Sequence, residues 1–216
     1  MSKDYIGGVP SRFLEMAEEK EFQTDKQFWD LIKNIGLGDN ISLIDLGCGP
    51  GRDLKFAKEN LSTKQIAGVD TSKDMCDIAH KATLGDIRNE SYTKTSFSDK
   101  AFDLVISRYA LQTSKNPDDC WREVNRIIKP GGYGAFLITH PISNYEKKQL
   151  NYFVQEDLEA KIFDEIKITE PSHTFQDWIS DYLLDNFDLL RLKEGKQTAE
   201  RKYPSYFILI LKQKTK

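Results

Sequence analysis

Short apolar segments alternate with helical segments through the middle of the chain. Apolar runs predict strands at 42–47, 65–70, 101–110 and 133–140. Helices are predicted at 51–60, 72–82 and 117–129. This alternation is typical of βαβ units around a mostly parallel sheet. The stretch "ATLGD" (82–86) leaves room for one further, brief strand.

The rhythm changes after residue 140. Residues 141–172 are irregular and charged, which predicts a small lid or insertion above the sheet, and a helix is predicted at 174–186. Two strands, 187–194 and 206–214, follow with no helix between them, so they should form an antiparallel hairpin at one sheet edge. We therefore expect a single α/β domain over 1–216, with N-terminal helices in 1–38 and a doubly wound, Rossmann-like, seven-stranded sheet.

Composition narrows the functional classes. The chain has 216 residues, of which 39% are apolar and 30% charged, and its net charge is −3. No apolar run reaches the roughly 18 residues of a membrane helix, and the first 20 residues lack a secretory signal core. We expect a cytoplasmic protein with no membrane partner. The charge balance offers no basic surface for nucleic acid.

Three widely spaced cysteines predict neither disulfides nor zinc, so no metal site is expected. They are Cys48, Cys76 and Cys120, an odd number without a CxxC pair. Cys48 lies inside a glycine-rich stretch, where a small side chain packed beneath the loop is the favoured interpretation.

That stretch, "LIDLGCGPG" (43–51), joins a strand to a helix. Glycines permit unusual dihedral angles and let a ligand approach the main chain. The following helix directs its N-terminal amides at the same place. In an open parallel sheet this crevice lies at the carboxyl ends of the strands, where ligands bind. The spacing is G-x-G-x-G, whereas the dinucleotide fingerprint is G-x-G-x-x-G, so a nicotinamide-dependent oxidoreductase is disfavoured.

Three carboxylates sharpen the ligand prediction. Asp45 precedes the glycines, Asp70 ends "GVD" and Asp86 lies in "GDIR", beside apolar Ile87. We interpret them as ending three successive strands. They would then favour a ligand that combines a cation, a ribose and an adenine, and S-adenosylmethionine has all three.

Five segments in order resemble the motifs of the class I S-adenosylmethionine-dependent methyltransferases. They are "LIDLGCGPGR", "GVDTS", "GDIR", "FDLVISRYALQ" and "IKPGGYGAFLITHP". The similarity spans about residues 40–141, and the final hairpin fits the same family. It implies a methyltransferase that binds S-adenosylmethionine and releases S-adenosylhomocysteine.

The resemblance also implies residue roles. Gly47, Gly49 and Gly51 would pass under the methionine part of the cofactor, with Cys48 in the same loop. Asp45 would order that loop or meet the amino group through water. Asp70 would hold the ribose hydroxyls. The remaining cofactor positions would border the adenine (Thr71, Ser72, Met75), flank its amino edge and ring (Asp86, Ile87) and line the methionine side (Ser107, Arg108).

The acceptor side is less specified. His140 ends the fifth predicted strand and is the candidate catalytic base, with a structural hydrogen bond to the lid as the alternative. Weaker substrate-binding candidates are Tyr5, Tyr109, Tyr145 and His173.

The expected function is methyl transfer to the oxygen, nitrogen or activated aromatic carbon of a small molecule, by a monomer or homodimer. A general base is needed only where the nucleophile holds its proton tightly. An RNA- or tRNA-modifying methyltransferase and a non-catalytic cofactor-binding subunit stay open. "SRYA" (107–110) stands where adenine-N6 and glutamine methyltransferases carry an Asp/Asn-Pro-Pro-Tyr/Phe motif, which argues against that class.

Overall fold

A computed structural model describes residues 23–143, 151–162 and 166–215. The helices are α1 (Gln23–Lys33), α2 (Arg52–Asn60), α3 (Lys73–Thr83), α4 (Pro117–Ile127), α5 (Phe175–Trp178) and α6 (Asp181–Asn186). The strands are β1 (Ile41–Leu46), β2 (Thr63–Asp70), β3 (Asp86–Asn89), β4 (Phe102–Arg108), β5 (Ile128–Thr139), β6 (Asp157–Ile162), β7 (Ile166–Pro171), β8 (Phe187–Gly195) and β9 (Tyr206–Gln213).

Seven strands form one sheet in the order β3-β2-β1-β4-β5-β9-β8. The first five run parallel to one another, while β9 is antiparallel to both β5 and β8. The order reverses between β1 and β4, so the carboxyl ends of these two strands flank a crevice at the centre of the sheet. The predicted fold class and the C-terminal hairpin are confirmed.

Helices cover both faces of the sheet. On one face α1, α2 and α3 bury Phe28, Ile32 and Leu54 against β1, β4 and β9. On the other face α4 and the short helices α5 and α6 bury Trp121 and Trp178. Because helices cover both faces, every residue of β1 is buried, Ser42 and Asp45 included, and the strand shows no apolar–polar alternation.

Two expectations about residues 141–186 were wrong. The region expected to be irregular contains β6 and β7, which pair antiparallel as a separate two-stranded sheet. The helix expected at 174–186 is two helices, because Ser180 adopts extended backbone and caps α6 by accepting from the amide of Leu183 at 3.2 Å. The Ser180 hydroxyl also donates to Asp118 on α4.

The paired sheet of β6 and β7, which we call the cover hairpin, lies over the carboxyl ends of β4 and β5. Leu158 of β6 and Glu170 of β7 line a cavity together with Gln112 after β4 and Thr139 of β5. The described part of the segment 141–172 thus lies over this edge of the sheet, and its role as a lid over the acceptor stays a prediction.

In the described part of the chain, no helix combines the length and the apolar character that crossing a membrane requires.

Candidate functional site

Three glycines shape the loop between β1 and α2, and each adopts a left-handed φ. A Cβ on Gly47 would lie 2.2 Å from the Cβ of Ala110, and one on Gly51 would lie 3.0 Å from Ala79 of α3. A Cβ on Gly49 would meet nothing within 4 Å. Gly47 and Gly51 therefore serve close packing, whereas Gly49 borders open space where a ligand can reach the main chain.

Cys48 points away from that space. Its side chain is buried and lies against Gly68 of β2, where an added Cβ would come within 2.9 Å of Sγ. Burial, reinforced by the charge of Asp45, raises the pKa of the Cys48 thiol well above its usual range. Its expected packing beneath the loop is confirmed, and its contribution to the loop is through its backbone amide, which donates to the carbonyl of Val69 at 2.9 Å.

Asp70, at the end of β2, organises the loop. Its Oδ2 accepts from the Gly49 amide at 2.9 Å and its Oδ1 from the Ser72 amide at 2.8 Å. Burial raises the pKa of Asp70, and the amide donors partly oppose that rise. A carboxylate offers about four lone-pair sites, so Asp70 can accept two further hydrogen bonds from ligand hydroxyls.

Asp45 is the penultimate residue of β1, whose carboxyl end borders the crevice. It is 2% exposed, and its Oδ1 has no hydrogen-bond partner among the described residues. Burial, and then the neighbouring charges of Asp53 and Asp70, raise its pKa well above the usual value, while Arg108 opposes the rise. A buried carboxylate oxygen without a donor is costly, so this position suits a ligand cation or a proton.

Arg108 ends β4 in an ion-pair network rather than facing the open space. Its Nε donates to Asp53 Oδ2 at 2.9 Å, and its Nη1 donates to Asp25 of α1. Asp25 also pairs with Arg52 at 2.8 Å. Ser107 is likewise internal, since its hydroxyl donates to the carbonyl of Leu46 at 2.6 Å. Arg108 thus ties β4 to α1 and α2, and Ser107 ties β4 to β1, whereas the predicted place of both residues beside the methionine part of the cofactor stays a prediction.

The interpretation of Asp86 as a strand-end carboxylate was wrong. Asp86 is the first residue of β3 and pairs with Ala67, in the middle of β2, whereas the carboxyl end of β3 is Asn89, which pairs with Asp70. At about 3.3 Å per residue, three residues place Asp86 roughly 10 Å from the site edge. Its carboxylate forms a two-bonded ion pair with Arg88 instead.

Ile87 likewise lies near the start of β3 and not at its carboxyl end. It is partly buried and packs against the core on the α1 side of the sheet. The other predicted adenine neighbours do lie at the end of β2. Thr71 is exposed there, Ser72 caps α3 with its side chain, and Met75 is buried in the first turn of that helix.

Sequence reasoning missed Asn89 and Tyr92, which occupy the end of β3. Asn89 Nδ2 donates to the Asp70 carbonyl at 2.9 Å. The Tyr92 ring lies 4.0 Å from where a Gly47 Cβ would be, and its hydroxyl bonds Thr113 Oγ1 at 2.6 Å. A predicted strand that begins after Gly85, rather than one that ends at Asp86, would have placed Asn89 and Tyr92 at the carboxyl end of β3.

His140, at the end of β5, has both ring nitrogens engaged. The Ile142 amide donates to Nδ1 at 3.2 Å, so Nε2 carries the proton and donates to Glu194 Oε1 at 2.7 Å. The ring stacks on Phe175 at 5.7 Å between centroids. Burial lowers the pKa of His140, although Glu194 opposes this. In this arrangement the ring has no lone pair left to remove a proton from a substrate.

His173 lies between β7 and α5 and is also buried. Its Nε2 donates to the Ser114 carbonyl at 2.8 Å, while its Nδ1 has no partner among the described residues. Tyr109, with a left-handed φ of 54°, bonds Gln197 through its hydroxyl at 3.4 Å and leans towards the β8–β9 connection. Tyr5 and Tyr145 lie outside the described residues.

A larger cleft of about 360 Å³ opens at the same edge, on the α1 side of the sheet. Gln27 of α1 forms one wall and residues 193–199 with Tyr206 form the other. The Tyr206 hydroxyl donates to Gln27 at 2.8 Å across its floor. Its volume is within the range of small-molecule sites, about 300–1,000 Å³.

Comparisons with known proteins agree with this geometry. Residues 44–136 match the family model described as a methyltransferase domain. A malonyl-[acyl-carrier protein] O-methyltransferase of Marinomonas sp. is 33% identical over 111 residues, which cover 49% of this chain and 41% of that protein. The chain spans half the length, or less, of the curated relatives it matches.

Two solved structures share the fold. A putative S-adenosylmethionine-dependent methyltransferase from Listeria monocytogenes has a TM-score of 0.72 at 19% identity, covering 87% of this chain and 98% of its own. The putative methyltransferase solved with the Trm112 activator of Haloferax volcanii has a TM-score of 0.75 at 15% identity, covering 100% and 99%.

Proposed function

We propose that this chain is a class I S-adenosylmethionine-dependent methyltransferase that transfers a methyl group from S-adenosylmethionine to a small-molecule acceptor. The observation that carries the proposal is the unpartnered oxygen of Asp45 near the carboxyl end of β1. A proton donor or cation from a ligand would satisfy it, and the amino group of a methionine moiety is one.

The residues present fit the cofactor. Asp45 would meet the amino end directly or through water, and the open main chain at Gly49 would lie along the methionine part. The N-terminus of α2 has no side-chain cap at Gly51, so its first amides suit the carboxylate. Asp70 has lone pairs for the ribose hydroxyls, and Tyr92 with Met75 would border the adenine. When bound, this cofactor supplies an activated methyl group on a sulfonium.

The chain's own contribution is chiefly positioning. Alignment of two reactants can supply about 7–11 kcal/mol of barrier lowering at best, without a chemical group from the protein. The network of Arg108, Asp53 and Asp25 fixes β4 and α1 around the crevice. We propose that His140, whose nitrogens bond Ile142 and Glu194, orients the end of β5 rather than removing a proton.

A small acceptor is supported by the size of the cleft beside Gln27 and by the net charge of −3. The relative named as an O-methyltransferase favours oxygen among the possible acceptor atoms. One structural neighbour was solved with an activator protein, so cofactor binding and turnover are best measured separately.

The test is calorimetric titration of the chain with S-adenosylmethionine and, separately, with NADH. We expect binding of S-adenosylmethionine alone, weakened at least tenfold by Asp70→Asn, which removes the charge that holds the Gly49 and Ser72 amides. Asp86→Asn is the matched control, because Asp86 lies at the opposite end of β3, and it should leave affinity unchanged. Binding of NADH alone, or equal affinity in all three proteins, would contradict the proposal.

A further inference from the structure

The cleft between α1 and the β8–β9 connection has a fixed floor. The Tyr206 side chain is buried, at 1% exposed, and its hydroxyl donates to Gln27 Oε1 at 2.8 Å. A Cβ on Gly195 would lie 2.2 Å from this hydroxyl, so only a glycine there leaves the hydroxyl its place. A buried ring, a hydrogen bond and a glycine thus hold the Gln27 side chain in one orientation at the edge of the cleft.

That hydrogen bond decides which atoms Gln27 offers to a ligand. An amide oxygen can only accept, so the Tyr206 proton goes to Oε1, and the two N–H groups of Nε2 remain. Among the described residues, Nε2 has no hydrogen-bond partner. Gln27 lines the cleft, and its contribution there is a pair of donors.

Lys193 brings a positive charge to the same side of the sheet. In the pairing of β8 with β9, Lys193 lies opposite Ile208 and Gly195 lies opposite Tyr206. Both β9 residues belong to the core on the α1 side. Directly opposed residues point to the same face, so the Lys193 side chain is on the cleft side. Its ammonium group has no ion pair or hydrogen bond within the part of the chain that the structure describes.

The carboxylates near the cleft are engaged elsewhere. Among the described residues, Glu194 is the only acidic one that lines the cleft. Side chains alternate along β8, so Glu194 points to the opposite face, where its Oε1 accepts from His140 at 2.7 Å. Glu200, in the β8–β9 connection, is held by the Thr198 hydroxyl and by the charge of Lys196. The cleft therefore offers amide and ammonium donors that face a ligand, and these suit a negative charge.

Tyr109 lies between this cleft and the cofactor crevice. It follows β4 directly, and its amide donates to the Leu137 carbonyl of β5 at 2.8 Å. Its hydroxyl bonds Gln197 of the β8–β9 connection at 3.4 Å. From β4 across β5 to β9 there are two strand spacings, which amount to roughly 10 Å. A ligand anchored in the cleft thus reaches the crevice past Tyr109 only if it is about that long.

We propose that the cleft binds an anionic group, a carboxylate or a phosphate, at the end of the methyl acceptor that is remote from the methylated atom, with Nε2 of Gln27 and Nζ of Lys193 as its donors. The inference rests on the proposed function only in identifying the ligand as the methyl acceptor. Hydrogen bonds to an anionic oxygen are stronger than neutral ones. Gln27 and Lys193 are then specificity-determining residues.

Amide NMR titration of the isotopically labelled chain with matched probes tests this. Phenylbutyrate and phenylbutyl phosphate are the anions, and phenylbutanol and phenylbutylamine are their neutral and cationic counterparts. We expect both or one of the anions to shift the amide signals of Gly195 and Ala199 saturably, and the tighter anion to identify the preferred group. The two counterparts should bind at least about tenfold more weakly.

Two variants, each with a control, assign the donors. Gln27→Glu keeps an acceptor for the Tyr206 hydroxyl but replaces the amide donors by a carboxylate oxygen, so it should bind phenylbutyrate more than about tenfold more weakly and phenylbutylamine more tightly. Gln65→Glu makes the same charge change at an exposed position near the start of β2 and should change neither. Lys193→Met should weaken phenylbutyrate binding about tenfold, whereas Lys81→Met, exposed on α3 near the opposite edge of the sheet, should not.

Four results would each overturn the inference. They are no saturable shift with either anion, equally tight binding of phenylbutanol, shifts at Gly49 of the cofactor loop without shifts at Gly195, and unweakened phenylbutyrate binding in Gln27→Glu. None of these readouts uses S-adenosylmethionine, so failure of cofactor binding at Asp70 would count against the proposed function alone.

Discussion

The two halves of the sheet's carboxyl edge can be compared through their buried polar groups. At β1 and β2, Asp70 is paired with two loop amides, whereas Asp45 keeps an oxygen without a donor. At β5 and the cover hairpin, His140 is paired at both nitrogens, whereas His173 keeps one nitrogen without a partner among the described residues. Each half therefore combines one paired residue with one open residue.

This difference separates stability from binding. Paired groups hold the loops in place, so their loss leaves a partner buried and uncompensated. Open groups already carry a desolvation cost in the folded chain, so removing them should cost little stability or even raise it. Ligand affinity is expected to respond in the opposite way at the open groups, because their hydrogen-bonding capacity is unused. Asp70 combines both roles, since it retains lone pairs beside the two loop amides.

The largest effect is expected within the glycine loop itself. Gly47→Ala places a Cβ 2.2 Å from Ala110 at a left-handed φ, and should destabilise the fold by about 2–5 kcal/mol. Gly49→Ala meets nothing within 4 Å and should cost only about 1–2 kcal/mol for its backbone, while it obstructs the ligand side. Urea unfolding of both variants measures this contrast.

Equal destabilisation by Gly47→Ala and Gly49→Ala would mean that a side chain at Gly49 is as crowded by its neighbours as one at Gly47. Undiminished S-adenosylmethionine affinity in Gly49→Ala would mean that the open side of the loop is not the cofactor side.

Arg108→Met should have the next largest effect. It leaves Asp53 and Asp25, whose side chains are 12% and 21% exposed, without their shared cation, which should cost about 3 kcal/mol. Lys26→Met breaks an exposed pair with Asp30 on α1 and serves as the control, with a nearly unchanged melting temperature. If the two variants melt together, the buried network contributes no more than a surface ion pair.

The sheet and the glycine loop could be predicted from sequence because their signals are local. Buried strands are continuous apolar runs, and "LIDLGCGPG" shows by itself that a strand turns sharply into a helix. Asp45 and Asp70 were found because a strand end lies next to a glycine or a helix cap along the chain.

The surroundings of His140 and His173 could not be predicted, because they are decided by contacts with residues far away along the chain. The partners of His140 and His173, Glu194 and Ser114, lie 54 and 59 residues away along the chain. No periodicity in the sequence indicates that both ring nitrogens of His140 are hydrogen-bonded, whereas Nδ1 of His173 has no partner among the described residues. The error at Asp86 has a different cause. β3 has only four residues, and the single apolar residue in it, Ile87, does not show where the strand starts or ends.

Asp45→Asn should stabilise the protein at neutral pH by about 1 kcal/mol or more, since it removes a buried charge without a donor. The folded pKa of Asp45 is raised, so its contribution to stability is fully present below the unfolded pKa of about 3.9 and is lost as pH rises through the folded pKa. The gain in stability of Asp45→Asn should therefore vanish at acid pH.

The same variant should bind S-adenosylmethionine more weakly. If Asp45→Asn were less stable at neutral pH and bound S-adenosylmethionine as tightly as the unaltered chain, the role of the open Asp45 oxygen would be overturned.

The smallest effect distinguishes the two buried histidines. Burial lowers the pKa of both, so each contributes stability that is complete above the unfolded pKa of about 6.5 and is lost as pH falls below it. The loss should be larger at His173, because its Nε2 bonds a neutral carbonyl, whereas Glu194 directly stabilises a protonated His140. Melting temperatures between pH 8 and pH 5.5 should thus fall less steeply in His173→Gln than in His140→Gln, with exposed His80→Gln following the unaltered chain. The reverse order would mean that Asp177, whose charge also favours protonated His173, outweighs the direct bond to Glu194.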